Sequence, residues 1–282
     1  MLRHLFTAAV AGLLAAQAPP AFEVASIRPS AAQTGQVQAG LQITQAQVRI
    51  AYLSLRDYLA MAFRLRPYQV SGPPWLGSAR FDINAKLPDG APPQQIPEML
   101  QTLFAERFKL RTHFEKRDTP VYALQVVKSG LALEKVPAER DVKEGAFTVG
   151  GSGSSSGVGV DLGRGSSYTF ADNKFVGRKL TMVMLAQTLT PYVGRPVVDM
   201  TGAEGFYDLT LVVTQEDYQA MLIRSADAAG VALPAQALRL LETTSIDSLL
   251  ESLRKAGLTL ESQRAPIDML VVDQIEKTPT EN

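Results

Sequence analysis

Cysteine is missing altogether from the 282 residues, which excludes disulfides, thiolate nucleophiles and sulfur-ligated metals together. Histidine occurs only twice, as His4 and His113. Zinc sites need three or four nitrogen or sulfur ligands in most cases, so no metal site is expected, and no cofactor either. Net charge is also lacking: 28 Lys plus Arg balance 28 Asp plus Glu. Without an overall field the chain has nothing to draw it to nucleic acid or to an acidic membrane face. Tryptophan occurs once, as Trp75. The apolar run Leu5 to Ala16 is about a dozen residues, short of the roughly 20 that span a bilayer.

What is present is the profile of a globular protein with an ample core, 46% hydrophobic and 20% charged. The start Met1-Leu2-Arg3-His4, the apolar run and Ala16-Gln17-Ala18 together read as a secretory signal over residues 1–18. Cleavage is expected after Ala18, or after Ala16 because Pro19 is a poor residue beyond a cut. The mature protein is then periplasmic or secreted, with no stable membrane span.

The chain is written around one construction that returns. Ile96, Met99, Leu100, Leu103 and Phe104 fall at helical spacing, and Phe108, Leu110, Thr112 and Phe114 then alternate as a strand does. Near the C-terminus Ile246, Leu249, Leu250, Leu253 and Leu260 repeat that order, and Ile267 to Leu270 answer Val121 to Leu124. Each copy reads as helix, strand, turn at Pro120 or Pro266, strand. Leu185 and Leu189 match Leu59 and Phe63, and Tyr207-Asp208-Leu209 match Phe81-Asp82-Ile83 at the same separation. The expected fold is α+β: two tandem related repeats, each a small, mostly antiparallel sheet with two helices on one face. Repeat 1 covers residues 22–137 and repeat 2 residues 178–282. Between them, 138–177 holds the Gly/Ser-rich stretch Gly150 to Gly159, which reads as a flexible linker or loop. An insertion at 214–244, with Tyr218 and Met221, reads as one or two short helices.

The residues that suit chemistry are few. His113 stands alone on the wet side of a strand, where a histidine is far more often a solvated side chain than a member of a catalytic triad. Asp82 and Asp208, equivalent in the two copies, are the one pair of acids that suits carboxylate-dependent hydrolysis of a glycan or peptide. A surface charge or a turn hydrogen bond explains them more simply. Trp75 would stack on a sugar or peptide if exposed and plug the core if buried. Tyr68, Trp75 and Arg195, in the repeat-equivalent loops 66–79 and 191–205, are the candidate ligand-binding residues. No catalytic residue is assigned.

The strings Phe22-Glu23-Val24-Ala25-Ser26-Ile27-Arg28-Pro29, Tyr68-Gln69-Val70-Ser71-Gly72-Pro73-Pro74-Trp75, Arg80-Phe81-Asp82-Ile83, Glu106-Arg107-Phe108-Lys109-Leu110, Pro120-Val121-Tyr122-Ala123-Leu124, Gly194-Arg195-Pro196-Val197-Val198-Asp199 and Val271-Val272-Asp273-Gln274 resemble, as a set, a secreted family of unknown function expanded in soil acidobacteria. That resemblance implies a stand-alone exported protein without assigned catalytic residues. Related domains occur behind membrane metallopeptidase sensors of the beta-lactam-sensing type. Each repeat is also distantly similar to the short N-terminal module of secretins and TonB-dependent receptors, an envelope contact element. The expected function is a non-catalytic binding or scaffold protein of the cell envelope that engages a protein or extended peptide. The alternative is the carboxylate-dependent hydrolase.

Overall fold

Alternation of apolar and polar residues makes strand the commonest element of this chain, and side-chain caps start three of its helices. The structure is a computed structural model describing residues 18–32, 37–138, 147–154, 157–229, 231 and 233–280. Of the expected signal segment only Ala18 falls within them. The first half runs β1 (Val24–Pro29), β2 (Val37–Thr44), β3 (Gln47–Ser54), α1 (Leu55–Ala62), β4 (Val70–Ser71), β5 (Arg80–Lys86), α2 (Ile96–Arg107) and β6 (Arg111–Val126). The second runs β7 (Lys135–Val136), β8 (Phe147–Ser154), β9 (Gly157–Gly163), β10 (Ser166–Ala171), β11 (Lys174–Leu180), α3 (Met182–Val193), β12 (Val197–Asp199), β13 (Phe206–Val212), α4 (Gln215–Ala228), α5 (Ala235–Thr243), α6 (Asp247–Lys255) and β14 (Leu258–Gln274).

The fold is α+β. Ten strands form one sheet in the order β1-β5-β3-β2-β8-β9-β10-β11-β13-β7, and four form a second, β12-β6-β14-β4. If β1 is matched with β7, β5 with β13, β3 with β11, β2 with β10 and β8 with β9, the large sheet reads the same from either end. The small sheet does so with β12 for β4 and β6 for β14. The strands are thus not divided into one small sheet per half. The Gly/Ser-rich stretch supplies the join. Gly150 to Ser154 pair with Gly157 to Asp161 in the middle of the large sheet, so the expected flexible linker is here a hairpin. Backbone pairing on both sides supplies the hydrogen bonds that those small side chains cannot.

Helix starts follow the sequence closely. Ser54 Oγ accepts the Asp57 N–H while Asp57 Oδ2 accepts the Ser54 N–H at 3.1 Å, a complete capping box for α1. Thr181 caps α3 in the same way, accepting the Met184 N–H. These caps lie 127 positions apart, and the buried Leu55, Tyr58 and Ala62 correspond to Met182, Leu185 and Leu189. The helices are therefore one residue out of step with the strand match of Phe81 to Tyr207. A single step across helix and strand is corrected to two.

Proline does not turn the chain where a turn was expected. β6 and β14 are unbroken strands of 16 and 17 residues, paired antiparallel from Arg111 to Val126, with Thr119 opposite Ala265 near the midpoint. Each strand passes from one core to the other. Leu270 and Val272, late in β14, are buried with α1, α2, β3 and β5 of the first half. Leu124, late in β6, is buried with α3, α6, β11 and β13 of the second. Each core is closed by a strand that arrives from the other half. The insertion packs too: in α4, Tyr218 and Met221 are buried, and Tyr218 lies against Phe170 with ring centroids 4.8 Å apart. Among the described residues no helix is long and apolar enough to cross a membrane.

Candidate functional site

The β6–β14 ribbon carries the two candidate loops on its two outer edges. β12 follows Arg195 and Pro196 and lies along Tyr122 to Leu124, on the outer side of β6. β4 follows Tyr68 and Gln69 and lies along Leu270 and Val271, on the outer side of β14. Between these short strands the outer edges of the ribbon are uncovered. Across the ladder Lys116 stands opposite Asp268, Asp118 opposite Pro266, Pro120 opposite Arg264 and Tyr122 opposite Ser262. Cross-strand partners share a face; this one is exposed, apart from the half-buried Tyr122 and Ile-free at its centre. The opposite face is buried at Val121, Ala123, Ala265 and Met269, and towards the ends Leu124, Leu260, Leu270 and Val272 are buried on this face as well.

Both prolines fit because of direction. Tyr122 N–H donates to Pro196 O at 2.8 Å, and Met200 N–H donates to Leu124 O at 2.9 Å. Alternate residues aim their backbone groups at the same edge, so Pro120 has its nitrogen on the outer side, where no ladder bond is lost. Asp268 O accepts Gln69 Nε2 at 2.8 Å from outside, which puts the nitrogen of Pro266 on the outer side of β14.

Arg195 lies over the Tyr122 ring, 5.4 Å from its centroid, and donates to Ser262 Oγ at 3.0 Å. Cation–π contact and one neutral hydroxyl orient this guanidinium without cancelling its charge. Tyr68 sits half-buried in a 3-10 turn, Pro67–Gln69. Burial raises its phenol pKa, opposed by the neighbouring Arg66 charge. Burial of Arg66 lowers that guanidinium's pKa, with Tyr68 acting the other way. Arg66-Pro67 and Arg195-Pro196 each precede the short strand of their half, β4 or β12, and each arginine stands beside a tyrosine; at the 127-residue step of the caps it is Tyr68 that answers Arg195. Neither has an ion-pair partner among the described residues. Asp118, by contrast, is taken by Arg264, whose Nε reaches Oδ2 at 2.5 Å.

The sequence singled out Tyr68 and Arg195 but missed their companions Arg66 and Tyr122. The recurring Arg-Pro dipeptide was the available signal for Arg66. Trp75 is placed elsewhere in kind: it is half-buried in the turn Pro74–Gly77 and packs against the first core. His113 Nδ1 lies 2.8 Å from Asp273 Oδ1, both side chains about half exposed. An open cleft of about 520 Å³ adjoins loop 191–205, lined by Leu131, Leu133, Lys135, Gly202, Ala203, Glu204 and Tyr207.

The equivalent acids serve the backbone. Asp82 Oδ1 accepts the Tyr52 N–H at 2.9 Å and the Ser30 hydroxyl at 2.6 Å. Asp208 accepts the Lys179 N–H at 2.7 Å and Arg178 at 2.9 Å. The Lys179 N–H, then Arg178, hold the Asp208 carboxyl below its ordinary range. β5 and β13 stand second and ninth in the large sheet.

Residues 56–275 match the family model described as protein of unknown function, DUF3738. The chain belongs to that family. The DUF3738 segment contains both Arg-Pro corners, the whole ribbon up to Gln274 and the large sheet from β8 onward. No curated protein and no solved structure matches the chain.

Proposed function

We propose that this DUF3738 protein is a non-catalytic, exported binding or scaffold protein of the cell envelope, engaging a protein or an extended peptide across the exposed face of the β6–β14 ribbon. One observation carries the reading: two Arg–Tyr corners, Arg66 with Tyr68 and Arg195 with Tyr122, stand before the short strands β4 and β12 on the two outer edges of an open strand ladder. Tyrosine and arginine are the residues that anchor protein contacts, because each offers a large surface with a polar tip. Export rests on the N-terminal sequence, and envelope contact on the distant similarity to the secretin and TonB-receptor module. We read the mirrored strand order as the trace of a duplicated unit. The competing hydrolase needs two acids within about 10 Å of each other. Its candidates, Asp82 and Asp208, are seven strand steps apart in the sheet, each occupied by a backbone N–H.

The test is selection of a displayed random-peptide library on the chain from residue 19 onward, followed by hydrogen-exchange mapping of the winners. Protection within residues 114–124 and 262–271, weakened by Tyr122→Ala, supports the reading. No enrichment, or protection confined to other surfaces, defeats it. Turnover of a glycan or peptide that Asp82→Asn or Asp208→Asn abolishes would install the hydrolase instead.

A further inference from the structure

Resting on that reading, we infer that the partner segment is acidic and is gripped at two points, one at Arg66 and one at Arg195. The charges on the ribbon face nearly cancel among themselves. Arg264 holds Asp118, and Lys116 stands opposite Asp268. Among the described residues the two corner arginines have no carboxylate partner: Arg66 stands beside Tyr68, and Arg195 lies over Tyr122 and bonds Ser262. An exposed guanidinium with no carboxylate of its own is a ready partner for one from another chain.

The spacing sets the length of that partner. Arg195 is level with the Tyr122–Ser262 row through its hydrogen bond. The Arg66 turn is level with the Lys116–Asp268 row through Gln69, which donates to Asp268 O. Those rows lie six residues apart on β6, roughly 20 Å at about 3.3 Å per residue. An extended segment of about seven residues or more reaches both corners; a segment of four reaches one. Two-point attachment converts the second contact into an intramolecular event, so length rather than charge density governs affinity. The outward-facing nitrogens of Pro120 and Pro266 interrupt both ribbon edges, so side chains, not a continuous added strand, make the contact.

The probes are fluorescein-labelled oligoglutamates of four and ten residues, with oligogalacturonate of matching charge as the polyanionic sugar, all read by anisotropy at low salt. The ten-residue peptide is expected to bind one per chain and more tightly than the four-residue one. Arg66→Gln and Arg195→Gln each weaken it by about fivefold and together by about twentyfold, with thermal melting unchanged. Added salt at about 0.15 M, where screening acts within about 8 Å, removes most of the binding. Equal affinity for both peptide lengths, or indifference to both substitutions, overturns the two-point grip. Equal or tighter binding of the oligogalacturonate overturns the peptide assignment. If library-selected neutral peptides protect the ribbon while oligoglutamate does not bind, the acidic inference fails and the proposed function survives; if neither binds, both fail.

Discussion

Asp208 holds the backbone N–H of Lys179 at 2.7 Å, at a point where Lys179 lies in the left-handed region with φ 51°. Asp82 does the same for Tyr52, at φ 58°. Both sites are bulges, between Ile50 and Leu53 on β3 and between Gly177 and Leu180 on β11. A bulge leaves one backbone group out of the ladder, and the acid on the neighbouring strand supplies its acceptor. Asp82→Ala or Asp208→Ala should cost about 1–2 kcal/mol, the value of one charge-assisted hydrogen bond at a partly exposed site. Denaturant titration of the two variants checks this. A loss of less than about 0.3 kcal/mol in both would leave the acids without a structural role.

The same contact sets a pH dependence. The folded Asp208 pKa lies below its ordinary value of 3.8, so the folded state favours the ionised form. Its contribution is fully present above the unfolded pKa and is lost as pH falls through the depressed folded value. Thermal melting of wild type should therefore fall below about pH 4, more steeply than that of Asp208→Asn. Parallel curves for the two proteins would show that Asp208 has no part in acid lability.

Gly257 turns the chain from α6 into β14 with φ 81°. A Cβ there would press on the Gly130 carbonyl oxygen and come within 2.8 Å of Leu131 Cα. Backbone cannot step aside as a flexible side chain can. Gly257→Ala should destabilise by about 2–5 kcal/mol, combining the left-handed penalty with overpacking. Lys109, at φ 52°, makes the corresponding turn before β6 with a side chain in place, so Lys109→Gly should be close to neutral. Chemical denaturation of both variants measures the contrast.

The exchanged strands couple the two cores. Leu270 is fully buried among residues of the first half although it lies close to the C-terminus. Leu270→Ala should cost about 2–5 kcal/mol and raise hydrogen exchange in α1 and β5, some 200 positions earlier in the chain by order of magnitude. Exchange that rises only around β14 would mean that the first core closes without it.

Pro120 and Pro266 stand where the ribbon edges are open. Open edges invite pairing with other chains, and proline blunts them. The double variant Pro120→Val, Pro266→Val should fold, since no ladder bond depends on either nitrogen, but should aggregate sooner on heating. Light scattering during a thermal ramp decides; unchanged onset would assign edge protection to the neighbouring charges.

Local chemistry was legible in the sequence wherever near neighbours in the chain decide the outcome. The Ser54–Asp57 spacing announced the α1 cap, and apolar periodicity marked α2, β5 and β13. The same rules failed at Pro120, Pro266 and the Gly/Ser stretch, because a proline nitrogen costs a hydrogen bond only if it points at a partner. Likewise, glycine stays flexible only if no strand lies alongside. Composition, the missing cysteines and the α+β class were fixed by the order of residues alone. Tertiary structure alone decided that β6 and β14 exchange between two cores, that Asp82 and Asp208 stand seven strands apart holding bulges, and that the loops of Arg66 and Arg195 meet opposite edges of one ribbon. Each of those facts depends on which strands lie side by side, and strand pairing joins distant residues, as Leu258 with Val126, through backbone groups that every residue shares.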